Sequence, residues 1–282
     1  MTMEIDEEYV AARTVLLDAL EILEAHRSNI ILIGAQAVYV WSGEGNLTVA
    51  TMTTDADLAL DADHLKPIPE VAATLRAHGF ALKPQKEKSS KNPGNWIGPG
   101  GIALDLMVSE HHAGKNRSAF LRGHNKDTAR SGRGLAPTLV DHENKKITAL
   151  SQGDPRSIEI AVAGTAALIV AKCIKLKERM EERRKKNKDR VMPKDALDIY
   201  RILKEIGTAD LVEGFLRHKD QEDAYRESKE AIDFLEAESG SPDASLPAMV
   251  AQAAEDDTGE GAQSFVWLVE DLLEELHQWR QD

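Results

Sequence analysis

Two short stretches of this chain alternate apolar side chains with carboxylates, and that alternation sharply limits the fold. In Thr54-Asp55-Ala56-Asp57-Leu58-Ala59-Leu60, a two-residue period puts Asp55 and Asp57 on one face of a strand and Ala56, Leu58 and Leu60 on the other. In Ile102-Ala103-Leu104-Asp105-Leu106-Met107-Val108, the residues Ile102, Leu104, Leu106 and Val108 share a face and Asp105 stands opposite them. Both stretches therefore read as half-buried strands that carry acids. Neighbouring carboxylates in such a strand repel each other and lose hydration, so they need a compensating cation. Mg²⁺ suits them, because hard ions take oxygen ligands and complete their shell with substrate phosphates. Two plainer readings stay open: Asp55 as a strand-edge residue facing water, and Asp105 in a salt bridge to a basic side chain.

A third segment, Ile30-Ile31-Leu32-Ile33-Gly34-Ala35-Gln36-Ala37, reads as a buried strand that turns at glycine straight into a helix. Such a turn presents free backbone N–H groups and the positive end of a helix dipole, which suits phosphate. Periodicity predicts helices over 5–26, 35–42 and 67–78, and strands over 29–33, 54–60, 80–82 and 101–109. Three further short strands are expected at 135–140, 146–150 and 157–162, and the polar stretch 83–100 is expected to be a loop or hairpin tip. Beyond Ala163 the pattern turns helical, with helices expected at 165–186, 194–206, 209–217, 221–238 and 263–280. Pro193 fits a first helical turn and Gly207 a C-terminal cap, and 239–247 and 256–261 are expected to be linkers. Length alone, 282 residues, suggests about two domains. The expected division is residues 1–162 and residues 163–282.

Several chemistries are absent from the sequence. There is no Gly-Lys-Ser/Thr phosphate loop, no His-Glu-x-x-His, no cysteine pair for zinc and no Gly-x-Ser-x-Gly. The apolar runs at 29–41 and 158–174 are broken by Gln36, Glu159, Thr165 and Lys172, so no transmembrane helix is expected. The opening Met1-Thr-Met-Glu-Ile-Asp-Glu-Glu lacks the basic segment of a secretory signal, and a cytoplasmic protein is expected. Cys173, the single cysteine, reads as a small core residue. His111-His112 has no neighbouring cysteine and no helical spacing to make it a metal site.

The order of Gly34-Ala35, Asp55-x-Asp57 and Asp105 resembles the polymerase-β-like nucleotidyltransferase superfamily. The later Lys172, Lys175 and Arg179, followed by Pro193-Lys194-Asp195-Ala-Leu-Asp198, resembles the Lys and Lys/Arg-Asp-x-x-Asp motifs of AbiEii-type nucleotidyltransferases, toxins of abortive-infection and type IV toxin–antitoxin systems. The resemblance covers about residues 28–206. It implies an α+β chain in which a small mixed β-sheet with flanking helices is followed by an all-helical C-terminal domain, and it implies transfer of a nucleotide from an NTP. By the same resemblance, Asp55 and Asp57 would hold two Mg²⁺ ions. Asp105 would complete the inner site and help deprotonate the attacking hydroxyl, and Gly34 with the backbone of Ala35 would hold the triphosphate. The remaining motif residues, Lys172, Lys175, Arg179, Lys194, Asp195 and Asp198, would complete the nucleotide and phosphate site. The chain departs from the family pattern at Ala35, where Ser or Gly is usual, and at Thr51-Met-Thr53-Thr54, where Arg-x-Thr often stands.

Charge bears on the acceptor. The net charge of −13 hides an uneven distribution, since residues 205–282 hold 21 acidic against 5 basic side chains. Lys172, Lys175, Arg179, Arg183 and Lys186 recur at steps of three or four and form a stripe along one helix. A solvated helix face is one reading of that stripe; the other is contact with a polyanionic acceptor such as the end of an RNA, tRNA included, widened by Lys115, Arg117, Arg122, Lys126, Arg130 and Arg133. Lys172 interrupts an apolar run and calls for an anion, either a phosphate or an internal partner in Asp198. Asp195 suits the first turn of its helix whatever its role. Trp267, Leu268, Leu272, Leu276 and Trp279 form a stripe read as core packing or as docking for a partner, such as a cognate antitoxin. A protein acceptor, a small-molecule transferase and a degenerate fold used for binding remain alternatives.

Overall fold

The computed structural model describes residues 6–43, 53–84, 91–112, 118–186 and 189–277. They fall into two compact units: the first takes its described residues from 1–40, 50–132 and 142–163, the second from 41–49, 133–141 and 164–282.

The first unit is a mixed sheet with helices. Its strands are β1 (Ile30–Ile33), β2 (Asp55–Leu60), β3 (Ala81–Pro84), β4 (Lys91–Ile97), β5 (Ala103–Ser109), β6 (Arg130–Gly132), β7 (His142–Thr148) and β8 (Ser157–Ala163). They pair in the order β3-β4-β5-β2-β1-β8-β7, with β6 added to β5. β2 runs antiparallel to β1 and parallel to β5. The alternation read from the sequence holds, since Ala56, Leu58 and Leu60 on β2 and Leu104, Leu106 and Val108 on β5 are buried, while Asp55, Asp57 and Asp105 are half-buried. Helix α1 (Glu7–Ile22) packs on β2, β5 and β8 and buries Tyr9, Ala12, Val15, Leu16, Ala19 and Leu20. α2 (Gly34–Ser42) follows β1 without a loop, and α3 (Val71–Ala77) packs against α1.

Four differences from the expected elements have physical causes. The helix expected from Pro67 begins only at Val71, because Pro67 and Pro69 each bias the residue before them away from helical backbone; Glu70 caps it, accepting from the amides of Ala72 and Ala73. The excursion expected at 83–100 contains β4, whose Pro93-Gly94 reads as a turn in sequence. The strand expected at 135–140 is a 3₁₀ turn around Pro137. Of the expected 146–150, only 146–148 is strand, the end of a longer β7 that its hairpin with β8 draws back to His142. Residues 85–90 of the loop expected at 83–100 lie outside the described residues.

The second unit is helical: α4 (Thr165–Lys186), α5 (Pro193–Glu205), α6 (Thr208–Arg217), α7 (Glu222–Glu238), α8 (Ser245–Ala254) and α9 (Glu260–Glu275). α4 packs against α5, α6 and α7, and its first half is buried almost throughout. Gly207 does not close α5 in a left-handed cap; with φ −60 it precedes α6 as that helix's N-terminal cap. α8 begins inside the expected linker 239–247, with Leu246 and Pro247 buried. On α9 the core face is Phe265, Val266, Val269 and Leu272, which leaves Trp267 exposed rather than packed. Trp279 lies outside the described residues. No helix among the described residues is long and apolar enough to cross a membrane.

Candidate active site

The acids of the first unit meet on one face of two adjacent strands. Asp57 is paired in register with Asp105, and Asp55 with Ala103. Neighbouring strands lie roughly 4.8 Å apart, which sets the spacing of the Asp57 and Asp105 backbones. The opposite neighbour of Asp57 is Ile33, so the strand-to-helix turn that follows arrives at the same place. Gly34 has φ +73, and a Cβ built on it would lie 2.1 Å from Oδ2 of Asp57. Glycine is therefore required twice, by its left-handed backbone and by the carboxylate packed against it. Ala35 is buried as the second residue of α2.

Buried polar side chains fix the acids from behind. Thr53 donates its hydroxyl to Oδ1 of Asp55 at 3.0 Å. The Asp55 carbonyl accepts from Nε2 of Gln36 at 3.1 Å, and Oε1 of Gln36 accepts from Nε of Arg13 at 2.9 Å. Arg13 also donates to the Tyr9 hydroxyl at 2.6 Å and to the Thr148 carbonyl at 2.8 Å. Gln36 and Arg13 are both buried, so the network is a rigid link from α1 through α2 to β2. In the sequence, Gln36 is visible only as a break in an apolar run, and Arg13 carries no signal.

Asp105 is engaged at both oxygens. Nδ2 of Asn95 donates to Oδ1, and Nη2 of Arg130 donates to Oδ2 at 3.0 Å. The salt-bridge alternative for Asp105 is thus realised, with a partner that the sequence shows only as one of several scattered basic residues. Two carboxylates with hard oxygens, Asp55 and Asp57, suit a Mg²⁺ ion whose shell is finished by phosphate. Among the described residues, no group of three His, Cys, Asp or Glu side chains is arranged to hold a metal ion. The rings of His111 and His112 stack edge to face at 5.2 Å.

The second unit gathers the remaining candidates around Asp195. Nζ of Lys172 lies 2.9 Å from Oδ1 of Asp195 and 2.5 Å from Oδ2 of Asp198. Lys175 reaches Asp195 at 3.0 Å, as does Arg179. Burial opposes the charge on Lys172, but Asp195 and Asp198 outweigh it and hold the ammonium above its ordinary range. Burial likewise opposes the Asp195 carboxylate, and Lys172 and Lys175 pull it well below the usual carboxylate range. Lys172 is thus an internal ion pair in this arrangement, whereas Lys175 is 45% and Arg179 27% exposed. Lys172, Lys175 and Arg179 thus share the carboxylates of Asp195 and Asp198. Lys194 stands half-buried in the first turn of α5.

Further along α4 the stripe is laced with acids: Arg183 faces Asp189 at 3.7 Å and Lys186 faces Glu182 at 3.6 Å. Arg133 pairs with Glu178 and Glu230, while Arg122 and Lys126 are exposed. Lys115 and Arg117 lie outside the described residues. Cys173 is buried, and burial pushes its thiol up, as expected of an inert core residue.

A family model described as nucleotidyltransferase matches residues 12–201, a span that runs from α1 to α5 and includes every acid and cation of both clusters. No curated protein and no solved structure matches the chain.

Proposed function

Since the chain belongs to the nucleotidyltransferase family whose model it matches over residues 12–201, we propose that it transfers a nucleoside monophosphate from an NTP to an acceptor hydroxyl and releases pyrophosphate. The observation that carries this reading is the register pairing of Asp57 with Asp105, with Asp55 two residues along the same face and the Gly34 turn packed against Asp57.

Asp55 and Asp57 are the proposed ligands of Mg²⁺, which when bound would neutralise phosphate charge and activate the incoming oxygen. The chain's own residues do the positioning. The bare backbone of Gly34 and Ala35 at the start of α2 leaves N–H groups for the triphosphate. The Arg13–Gln36 link keeps the β2 backbone at Asp55 from shifting as charge accumulates. The acceptor oxygen attacks the α-phosphorus, the bond from that phosphorus to the β-bridging oxygen breaks, and the electron pair leaves on pyrophosphate. Asp105 receives the hydroxyl proton.

The α4 stripe supports a polyanionic acceptor, an RNA end such as that of tRNA, over a neutral small molecule. The Lys172 and Lys194-Asp195-x-x-Asp198 motifs support a cellular role as the toxin of a toxin–antitoxin pair. Engagement of Asp105 by Arg130 favours a second reading, nucleotide binding without transfer. Incubating the purified chain with α-labelled NTPs, Mg²⁺ and cellular RNA tests the first reading. Labelled RNA is expected from the wild type; equal labelling by Asp57→Ala would refute it, and Asp57-dependent nucleotide binding without label would establish the second.

A further inference from the structure

The backbone builds the pairing at Asp105 into the sheet. β5 carries β4 along Ala103–Asp105 and β6 along Met107–Ser109, so Asn95 stands opposite Asp105 and Arg130 opens β6 opposite Met107. Gly94 makes the seam between the two strands. A Cβ there would lie 2.4 Å from the Leu106 carbonyl oxygen and 2.5 Å from the Arg130 nitrogen, and its φ is +71. The ion pair is shielded, with 22% of the Arg130 side chain and 17% of the Asp105 side chain exposed, so solvent screens it less than a surface pair. Nε of Arg130 is nevertheless buried without a hydrogen-bond partner. The guanidinium is held there by the charge of Asp105, at the cost of an unsatisfied N–H, and not by a complete set of hydrogen bonds.

We propose that Arg130 takes the place of a cation at Asp105 in the metal-free protein, and that a divalent ion binding the acid face must displace it. The proposal rests on the reading of Asp55 and Asp57 as metal ligands. A guanidinium and a divalent ion repel each other at close range, and the attraction of one carboxylate is divided between them. The residue that closes the third carboxylate is a planar, permanently charged fork, so once displaced it is a ready partner for the phosphates of the incoming nucleotide. Arg130 is then a positioning residue: it keeps Asp105 ordered without metal, and the acid face becomes complete only on loading.

Titrating the full-length chain with Mn²⁺ in the absence of nucleotide, with free Mn²⁺ read by electron paramagnetic resonance, separates the possibilities. Arg130→Gln should bind Mn²⁺ at least about tenfold more tightly than the wild type, equivalent to about 1.4 kcal/mol. Asp57→Ala should remove the binding in both backgrounds. Equal or weaker binding by a folded Arg130→Gln, while the wild type binds in an Asp57-dependent way, overturns the competition and leaves the metal reading standing. No Asp57-dependent binding in either protein overturns the metal reading, and the competition with it. Should Arg130→Gln fail to fold, the wild type decides alone: the Nε–H resonance of Arg130 should move as Mg²⁺ is added, and a resonance that stays fixed while Mg²⁺ binds overturns the proposal.

Discussion

Replacing Lys172 with methionine keeps most of the side chain's volume and removes its charge. The lysine is 6% exposed and lies between Asp195 at 2.9 Å and Asp198 at 2.5 Å. After the substitution Asp195 retains Lys175 and Arg179, whereas Asp198, 3% exposed, loses the ammonium that neutralises it. Removing one partner of a buried pair costs about 3–5 kcal/mol, a large part of the roughly 5–15 kcal/mol that keeps a domain folded. With a urea slope of about 2 kcal/mol/M, the midpoint of the helical unit should fall by about 2 M, read by circular dichroism at pH 7. Adding Asp198→Leu removes the stranded charge and should restore most of the loss. The pH dependence has a definite sign. Asp195 is depressed in the folded state, so its stabilisation is complete above the unfolded carboxylate value of about 3.9 and is lost as pH falls below it. Lys172 is raised, so its contribution is complete below about 10.4 and does not change in acid. The wild type should therefore lose stability steeply below about pH 4, and Lys172→Met less steeply. A loss under about 1 kcal/mol for Lys172→Met, below any buried-pair penalty, would refute the reasoning.

Three further substitutions address the site and the acceptor. Gly34→Ala puts a methyl group 2.1 Å from the Asp57 carboxylate on a backbone at φ +73; the shifted carboxylate should lower nucleotidyl transfer by about a hundredfold with little change in circular dichroism, and near-normal rates would show that Asp57 need not sit there. Gln36→Leu strands the buried Nε of Arg13 and the bond to the Asp55 carbonyl, so thermal unfolding should report a loss of about 1–3 kcal/mol, and an unchanged melting temperature would count against the network. Arg183→Gln with Lys186→Gln removes two candidate phosphate contacts and should reduce the slope of log K against log salt for single-stranded RNA by about 1.4; an unchanged slope in fluorescence anisotropy would place the RNA elsewhere.

Where a residue's neighbours along the chain decide its environment, the sequence is informative. The alternation in β2 and β5 locates both the strands and the acid face, because a period of two permits only one half-buried solution. The Gly34 turn is legible for the same local reason, although the close approach of Asp57 that makes glycine indispensable is not. Elements stabilised by distant partners are hidden. β4 reads as a turn because Pro93 and Gly94 look like punctuation, and only its pairing with β3 and β5 makes it a strand. β6 is three residues long, too short to show a period. Arg130 and Asn95 reach Asp105 across 25 and 10 residues of chain, so neither spacing nor charge patterning could single them out. Lys172 shows its need for an anion in sequence, and the fold decides which anion meets it.

The acidity of residues 205–282 acts partly within the second unit. On α7, Glu230 accepts from Lys177 at 2.9 Å and pairs with Arg133, and Glu238 faces Arg184 at 3.5 Å. Part of the positive charge on α4 is therefore cancelled by this chain's own acids. The Arg184–Glu238 pair is open to solvent on the arginine side, where 66% of the side chain is exposed, and such pairs are worth about 0–1 kcal/mol, so phosphates can displace it at little cost. If α4 receives the acceptor, Glu238→Gln should free Arg184 and tighten single-stranded RNA binding by up to about fivefold at low salt, the equivalent of about 1 kcal/mol. The gain should vanish above roughly 0.5 M salt, where surface charges are screened within a few ångströms. Anisotropy titrations at two salt concentrations measure it. An effect equal at both would mean that Glu238 acts through packing, and no effect at low salt would mean that the α4 face is a solvated surface that binds no polyanion.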